Sequence, residues 1–172
     1  MNLSHLTEAE LKEALLLLEK QDGYAVQDKC QGSFLDYVNH MWPEFICGRH
    51  HQIFAEKLEQ VAKGEIKRLI VNMPPRHTKS EFASTYFPSW MMGQNPKMKI
   101  MQTTHTGELA VRFGRKVRNL MAQKEYKQVF PDVSLQADNK SAGRWETNKG
   151  GEYFAAGVGG AVTGRGADLL II

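Results

Sequence analysis

The sequence predicts an α/β fold, a parallel sheet with flanking helices, preceded by a helical N-terminal segment. Three observations predict it. The apolar, β-branched run at residues 68–72 fits a buried parallel strand, and a helical pattern over 80–92 follows it directly. Strands and helices then alternate, from a strand at 99–103 through a helix at 107–121 to a last strand at 168–172. Between the first strand and its helix stands Lys79-Ser80, a charged and hydroxylated pair at a strand-loop-helix junction.

Each element has its own signal. Thr7-x-x-Glu10 ahead of a leucine-rich stretch is a capping box opening a helix over 8–20. Asp22-Gly23 is expected to end it, since glycine takes the left-handed cap, and a linker is expected up to residue 32. Ser33 caps a short helix through 38, Pro43 interrupts, and a helix over 51–63 stops at Gly64. Gly93 and Pro96 separate the 80–92 helix from the 99–103 strand. In the 107–121 helix, Leu109, Phe113, Val117 and Leu120 recur at helical spacing and are expected to form the buried stripe. Residues 122–142 are expected to be irregular. Arg144–Thr147 and Glu152 to Ala155 flank Asn148-Lys149-Gly150-Gly151, a β-hairpin pattern, and a glycine-rich loop over 157–166 feeds the last strand.

Composition bounds the function. At 172 residues, 42% hydrophobic and 24% charged, the chain is long enough for one domain with a real core and is not of disordered type. Cys30 and Cys47 lack metal or redox spacing and are expected to be reduced thiols. No run of 18 apolar residues occurs and the N-terminus is no basic signal peptide, so a cytoplasmic protein without a membrane partner is expected. The net charge of +3 divides unevenly. Residues 1–65 carry 6 Lys/Arg against 11 Asp/Glu, and residues 66–172 carry 16 against 8, giving −5 and +8. Arg112, Arg115, Lys116 and Arg118 lie mostly off the apolar stripe of their helix, as a face tracking a nucleic-acid backbone requires; a merely solvated face is the other reading. His50, His51, His77 and His105 are read as polar or core residues, not metal ligands.

The segment MPPRHTKSE, residues 73–81, concentrates the chemistry. In the pattern G-x-x-x-x-G-K-[ST], backbone N–H groups and the helix dipole cradle phosphate oxygens, the lysine reaches the β- and γ-phosphates and the hydroxyl ligates Mg²⁺. Lys79 and Ser80 fit. The two glycine positions fall on Met73 and Thr78. A lysine at a helix N-terminus is electrostatically unfavourable unless an anion sits there. Against this stands a proline-rich surface turn before a capped helix, with Thr78 or Ser80 as the cap.

MPPRHTKSE closely resembles the variant phosphate loop of tailed-phage terminase large subunits, the ATP-driven motors that pump DNA into capsids. Two further segments share the resemblance: WPEFICGRHHQIFAEKL at 42–58, similar to the family's approach to its ATPase domain, and GGAVTGRGADLLII at 159–172, similar to the glycine-rich approach to the Walker B strand. The resemblance spans about residues 33–172, and residues 1–32 are read as an N-terminal helix and linker. It implies a P-loop NTPase fold of the additional-strand type, with Mg²⁺ and ATP as cofactors. Pro75, Arg76, His77, Thr78, Lys79 and Ser80 would surround the phosphates, with Ser80 on the Mg²⁺ and Gln52 on the adenine. Arg76 would touch the γ-phosphate, or else be a solvated loop arginine. Arg165 would be a finger offered to a neighbouring subunit's ATP, or else a turn arginine. The implied partners are double-stranded DNA, the portal protein, the small terminase subunit and further copies in a ring, in the cytoplasm of a bacterial host.

The family needs an acidic pair directly after the second apolar strand, one carboxylate for Mg²⁺ and one for water. The sequence stops at Ile172 without that pair, and Asp168 stands ahead of the apolar residues, at the strand's wrong end. The chain is therefore expected to be an incomplete ATPase domain without the nuclease domain, inactive alone and with unpaired sheet edges. Two other classes remain: a helicase-like or small-molecule P-loop enzyme, and a non-catalytic DNA-binding remnant.

Overall fold

The computed structural model describes residues 7–160 and 164–172. Helix α1 (Glu8–Gly32) opens with the expected capping box: the Thr7 N–H donates to the Glu10 carboxylate at 2.7 Å and the Glu10 N–H to Thr7 Oγ1 at 3.4 Å. It does not stop at Gly23. A helical glycine costs about 1 kcal/mol, and the last turns are anchored well enough to offset it. Cys30 is buried, its carbonyl accepts the Trp90 indole N–H at 2.9 Å, and the Gln31 side-chain amide donates to Val129 O at 2.6 Å. The expected linker is thus helix up to Ser33, which closes α1 through its N–H and caps α2 (Phe34–Met41) through its hydroxyl.

Helix α3 (Arg49–Ala62) ends as expected near Gly64, whose φ of 76° is a glycine conformation. Residues 68–72 depart from expectation. Leu69, Val71 and Met73 turn toward the core and Ile70 is 88% exposed, a strand-like alternation, yet the segment pairs with no strand among the described residues. The period-2 pattern records burial of one face, not the presence of a ladder partner.

The helical run after it has three parts: α4 (Lys79–Glu81), a π-helical turn (Phe82–Tyr86) and α5 (Phe87–Gln94). The Phe87 N–H reaches back five residues to Phe82 O. Pro88 has no N–H for Ser84 O, and its ring would clash with that carbonyl in a regular α-helix; widening the preceding turn relieves the conflict. This run carries the core. Phe34 meets Phe82, Phe87 and Trp90 at ring-centroid distances of 5.6, 5.7 and 5.6 Å. Below them, the buried Tyr37 hydroxyl lies 2.7 Å from Ser89 Oγ, and Tyr126 donates to Ser89 O at 3.0 Å. Burial pushes both phenols well above their ordinary range.

Strand β1 (Lys99–Thr104) and helix α6 (Gly107–Met121) lie where expected. Residues 122–142 hold α7 (Lys124–Val129) and β2 (Leu135–Lys140) in place of irregular chain; β3 (Arg144–Thr147) and β4 (Glu152–Gly157) form the expected hairpin, and β5 (Leu169–Ile171) follows. The sheet order is β2-β3-β4-β1-β5. Strand β1 runs parallel to both β4 and β5, whereas β2, β3 and β4 pair antiparallel. The fold is therefore α/β with a mixed sheet, parallel only on one side.

Helix α6 buries Ala110, Gly114, Val117, Leu120 and Met121, while Leu109 is 40% exposed, so its buried face is rotated from the expected stripe. Gly114 sets the rotation. A Cβ there would lie 2.6 Å from Ala142 O and 3.0 Å from Tyr153 Cε1. The Trp145 indole donates to Gly114 O at 3.1 Å and stacks on Tyr153 at 4.8 Å, whose hydroxyl donates to buried Gln102 at 2.8 Å. Gly114→Ala is expected to destabilise the protein by about 1–3 kcal/mol through overpacking against backbone. The thermal midpoint should fall by about 2–4 °C per kcal/mol; a midpoint within about 1 °C of wild type would refute the close approach.

Candidate functional site

Residues 73–78 turn tightly before α4. Arg76 (φ 62°) and Thr78 (φ 58°) are the two non-glycine residues at positive φ among the described residues, and both belong to this loop. For a β-branched threonine this conformation is a real outlier, costing on the order of 1–3 kcal/mol and persisting only where surrounding structure imposes it. Thr78 occupies a glycine position of the generic phosphate loop, and it adopts a backbone conformation that glycine takes freely.

His51 is the surrounding structure that holds Thr78. It sits in the first turn of α3, 6% exposed, with its ring stacked on Phe82 at 5.2 Å and edge-on to Phe45 at 4.7 Å. The Gly48 N–H donates to its Nδ1 at 2.9 Å, so Nδ1 carries no proton, and Nε2–H donates to Thr78 Oγ1 at 2.6 Å. The Thr78 hydroxyl then donates to His77 O at 2.7 Å. Burial, followed by the neighbouring His50 and His77, holds the His51 imidazole below its ordinary value of 6.5.

The other expected residues gather around this chain of bonds. Lys79 is half-buried, and its ammonium bends back over the loop toward Met73 O at 3.4 Å. Ser80, Pro75, Arg76 and His77 are exposed, with His77 Nδ1 donating to Pro75 O at 2.9 Å. Thr78 makes no side-chain cap to α4, so the capping reading fails for it. Gln52 is exposed on α3, next to His51. No described carboxylate lies within ion-pair distance of Arg76 or Lys79; Glu81, the acid in the first turn, is taken by Lys116 of α6. Burial and the charges of Glu81 and Glu44 push the Tyr86 phenol up to about 12. The exposed Ser80 hydroxyl and the unpaired Lys79 fit a Mg²⁺-bound triphosphate, whereas no group of three His, Cys, Asp or Glu among the described residues is placed to hold a metal by itself.

Arg165 lies elsewhere. It donates to Glu152 at 2.8 Å and sits 4.3 Å from the centre of the Phe154 ring, beside Lys99 at the start of β1. Lys79 begins a 16-residue helical run, about 24 Å long at 1.5 Å per residue, whose far end leads toward β1. Asp168 is also at that remote end, where it accepts the Lys99 N–H at 2.8 Å. On α6, Arg112 and Arg115 line an open groove with Thr106 and Glu108, exposed as expected, while Lys116 pairs with Glu81 and Arg118 contacts Asn119. Cys30 and Cys47 are both free thiols. No described helix is long and apolar enough to cross a membrane.

Sequence reasoning missed His51, whose ring reaches 27 residues along the chain. No local pattern signals that contact. No protein-family model, curated protein or solved structure matches this chain.

His51 gives a pH prediction with a definite sign. Its folded value lies below 6.5, so the fold favours the neutral ring. That stabilisation is fully present above 6.5 and is lost as pH falls from there through the lowered value. Between about pH 7.5 and about pH 5, wild type is expected to lose more thermal stability than His51→Gln, which cannot titrate. Parallel curves for the two proteins would contradict the neutral, bonded ring.

Proposed function

We propose that the Lys79 loop binds the triphosphate of Mg²⁺-ATP and that the chain is the ATP-binding part of a P-loop NTPase, a viral DNA-packaging motor of the terminase large-subunit class. The observation that carries this reading is the loop itself: a lysine without a described counter-ion begins a long helical run directly after a threonine held left-handed at a glycine position. A cation there opposes the helix dipole and is stabilised when a polyanion occupies the turn. The sequence resemblance supplies the class. The α/β architecture and exposed basic side chains on α6 are compatible with it.

In this reading Lys79 would exchange Met73 O for the β- and γ-phosphates, loop N–H groups would donate to the remaining phosphate oxygens, and Ser80 would hold the Mg²⁺. Bound Mg²⁺ neutralises developing phosphate charge. Arg76, exposed and without a described counter-ion, would meet the γ-phosphate, and Gln52 would supply a polar edge for the base. Hydrolysis would then be coupled to translocation of double-stranded DNA, in a ring of copies docked on a portal protein and supplied with DNA by the small subunit. Asp168 takes no part, since it caps the opposite end of the sheet.

Lys79→Ala in the native protein is expected to reduce ATP turnover by well over tenfold, the equivalent of about 1.4 kcal/mol or more in the barrier, while the thermal midpoint stays near wild type. Turnover retained within about tenfold would overturn the phosphate role.

Arg76→Ala should impair isolated and assembled protein alike. Arg165→Ala should suppress only assembly-stimulated hydrolysis, because in the isolated chain that guanidinium is held by Glu152 and Phe154. Equal losses for Arg165→Ala in both states would remove its proposed role toward a neighbour.

A further inference from the structure

We infer that His51 is the positioning residue of the phosphate loop: its Nε2–H, bonded to the Thr78 hydroxyl, stands in for the missing glycine by holding a β-branched residue in the left-handed turn that aims Lys79. The inference deepens the nucleotide reading and rests on it for what the loop is positioned to bind. Four observations converge. Thr78 is left-handed where glycine would reach that conformation freely. Its hydroxyl accepts the His51 bond at 2.6 Å and donates its own to His77 O, so both its acceptor and its donor are engaged in fixing the turn. His51 is fixed in turn by the Gly48 N–H on Nδ1, which selects the tautomer able to donate at Nε2. Finally, its ring is clamped between Phe45 and Phe82 and is nearly inaccessible, so it reaches the loop from rigid structure. His51 does not face the phosphates and is not catalytic; it acts through Thr78.

The glycine argument supplies a thermodynamic cycle. If His51 serves to hold Thr78 left-handed, it becomes dispensable once residue 78 is glycine. Four proteins decide this: wild type, His51→Ala, Thr78→Gly and the double variant, each titrated with Mg²⁺-ATP by NMR, which reads weak as well as tight binding. His51→Ala is expected to weaken ATP binding at least about fivefold, the scale of one hydrogen bond. In the Thr78→Gly background the same change should alter binding by less than about twofold. His51→Gln, whose side-chain amide also donates, should recover much of the loss. Thr78→Val, which keeps the shape and removes the hydroxyl, should reproduce the loss without touching the aromatic contacts of His51. Equal losses on both backgrounds, or wild-type binding by Thr78→Val, would overturn the inference.

The nucleotide-free protein tests the clamp independently of ATP. The Thr78 backbone coupling constant should report positive φ in wild type and leave that range in His51→Ala, and nitrogen shifts should show His51 protonated at Nε2 alone. Thr78 remaining left-handed without His51 overturns the clamp even if ATP binds. Conversely, a wild-type protein that holds Thr78 through His51 but shows no response to Mg²⁺-ATP refutes the nucleotide reading and leaves the clamp standing.

Discussion

One ring, that of Phe82, connects the hydrophobic core to the loop. It is fully buried, meets Phe34 edge-on at 5.6 Å, lies near parallel to Phe54 at 5.8 Å, and carries His51 on a further side at 5.2 Å. Aromatic pairs in these arrangements contribute about 0.5–1.5 kcal/mol each beyond the area they bury. They also have preferred geometry, which a cluster of aliphatic side chains would not have. Three separate helices, α2, α3 and the run beginning at Lys79, are thereby fixed relative to one another at the point where the loop begins. The loop makes few bonds of its own, and its shape is borrowed from this cluster.

Electrostatics complement that packing. Arg76 and Lys79 lie in a turn where the first-turn acid, Glu81, is already engaged by Lys116. The pairing has two effects: it ties α4 to α6, and it removes the negative charge that would otherwise quench the loop. What remains is a positive turn at a helix start, stabilised by any polyanion able to enter it. At the far end of the sheet Arg144 and Arg165 both converge on Glu152, so two guanidinium groups share one carboxylate. Lys116, Arg144 and Arg165 are paired, whereas Arg76 and Lys79 have no described carboxylate within ion-pair distance.

The sequence was most legible where local chemistry and tertiary packing agreed. The capping box at Thr7, the strand at Lys99, the helix from Gly107 to Met121 and the hairpin around Asn148–Gly151 all have short-range signals that the fold leaves in place. It misled where a distant contact decided. Gly23 marks a helix stop by propensity, but Trp90 and Val129 hold the residues beyond it in helix. Of the expected stripe on α6, Val117 and Leu120 are buried but Leu109 is not, because a missing Cβ at Gly114 lets the helix approach Ala142 and Tyr153 on that side. Residues 68–72 alternate as a strand does and find no ladder. Of the candidate site, Lys79, Ser80 and their neighbours were singled out by the motif alone. His51 was not, since its role depends on ring contacts and on a tautomer set by Gly48.

The π-helical turn at Phe82–Tyr86 makes the length of this segment as consequential as its composition. Each residue of an α-helix advances the side-chain direction by about 100°. The widened turn accommodates one residue more than a regular turn would, so Phe82 on one side of it and Trp90 with Met92 on the other all face the same core. Removing a single residue from this stretch would yield a more regular helix and, with α5 fixed in the core, swing Lys79 and Ser80 by roughly a quarter turn away from the loop they complete. The irregularity thus works as a phase adjustment: a deletion that improved local helical geometry would disconnect the aromatic core from the turn it supports.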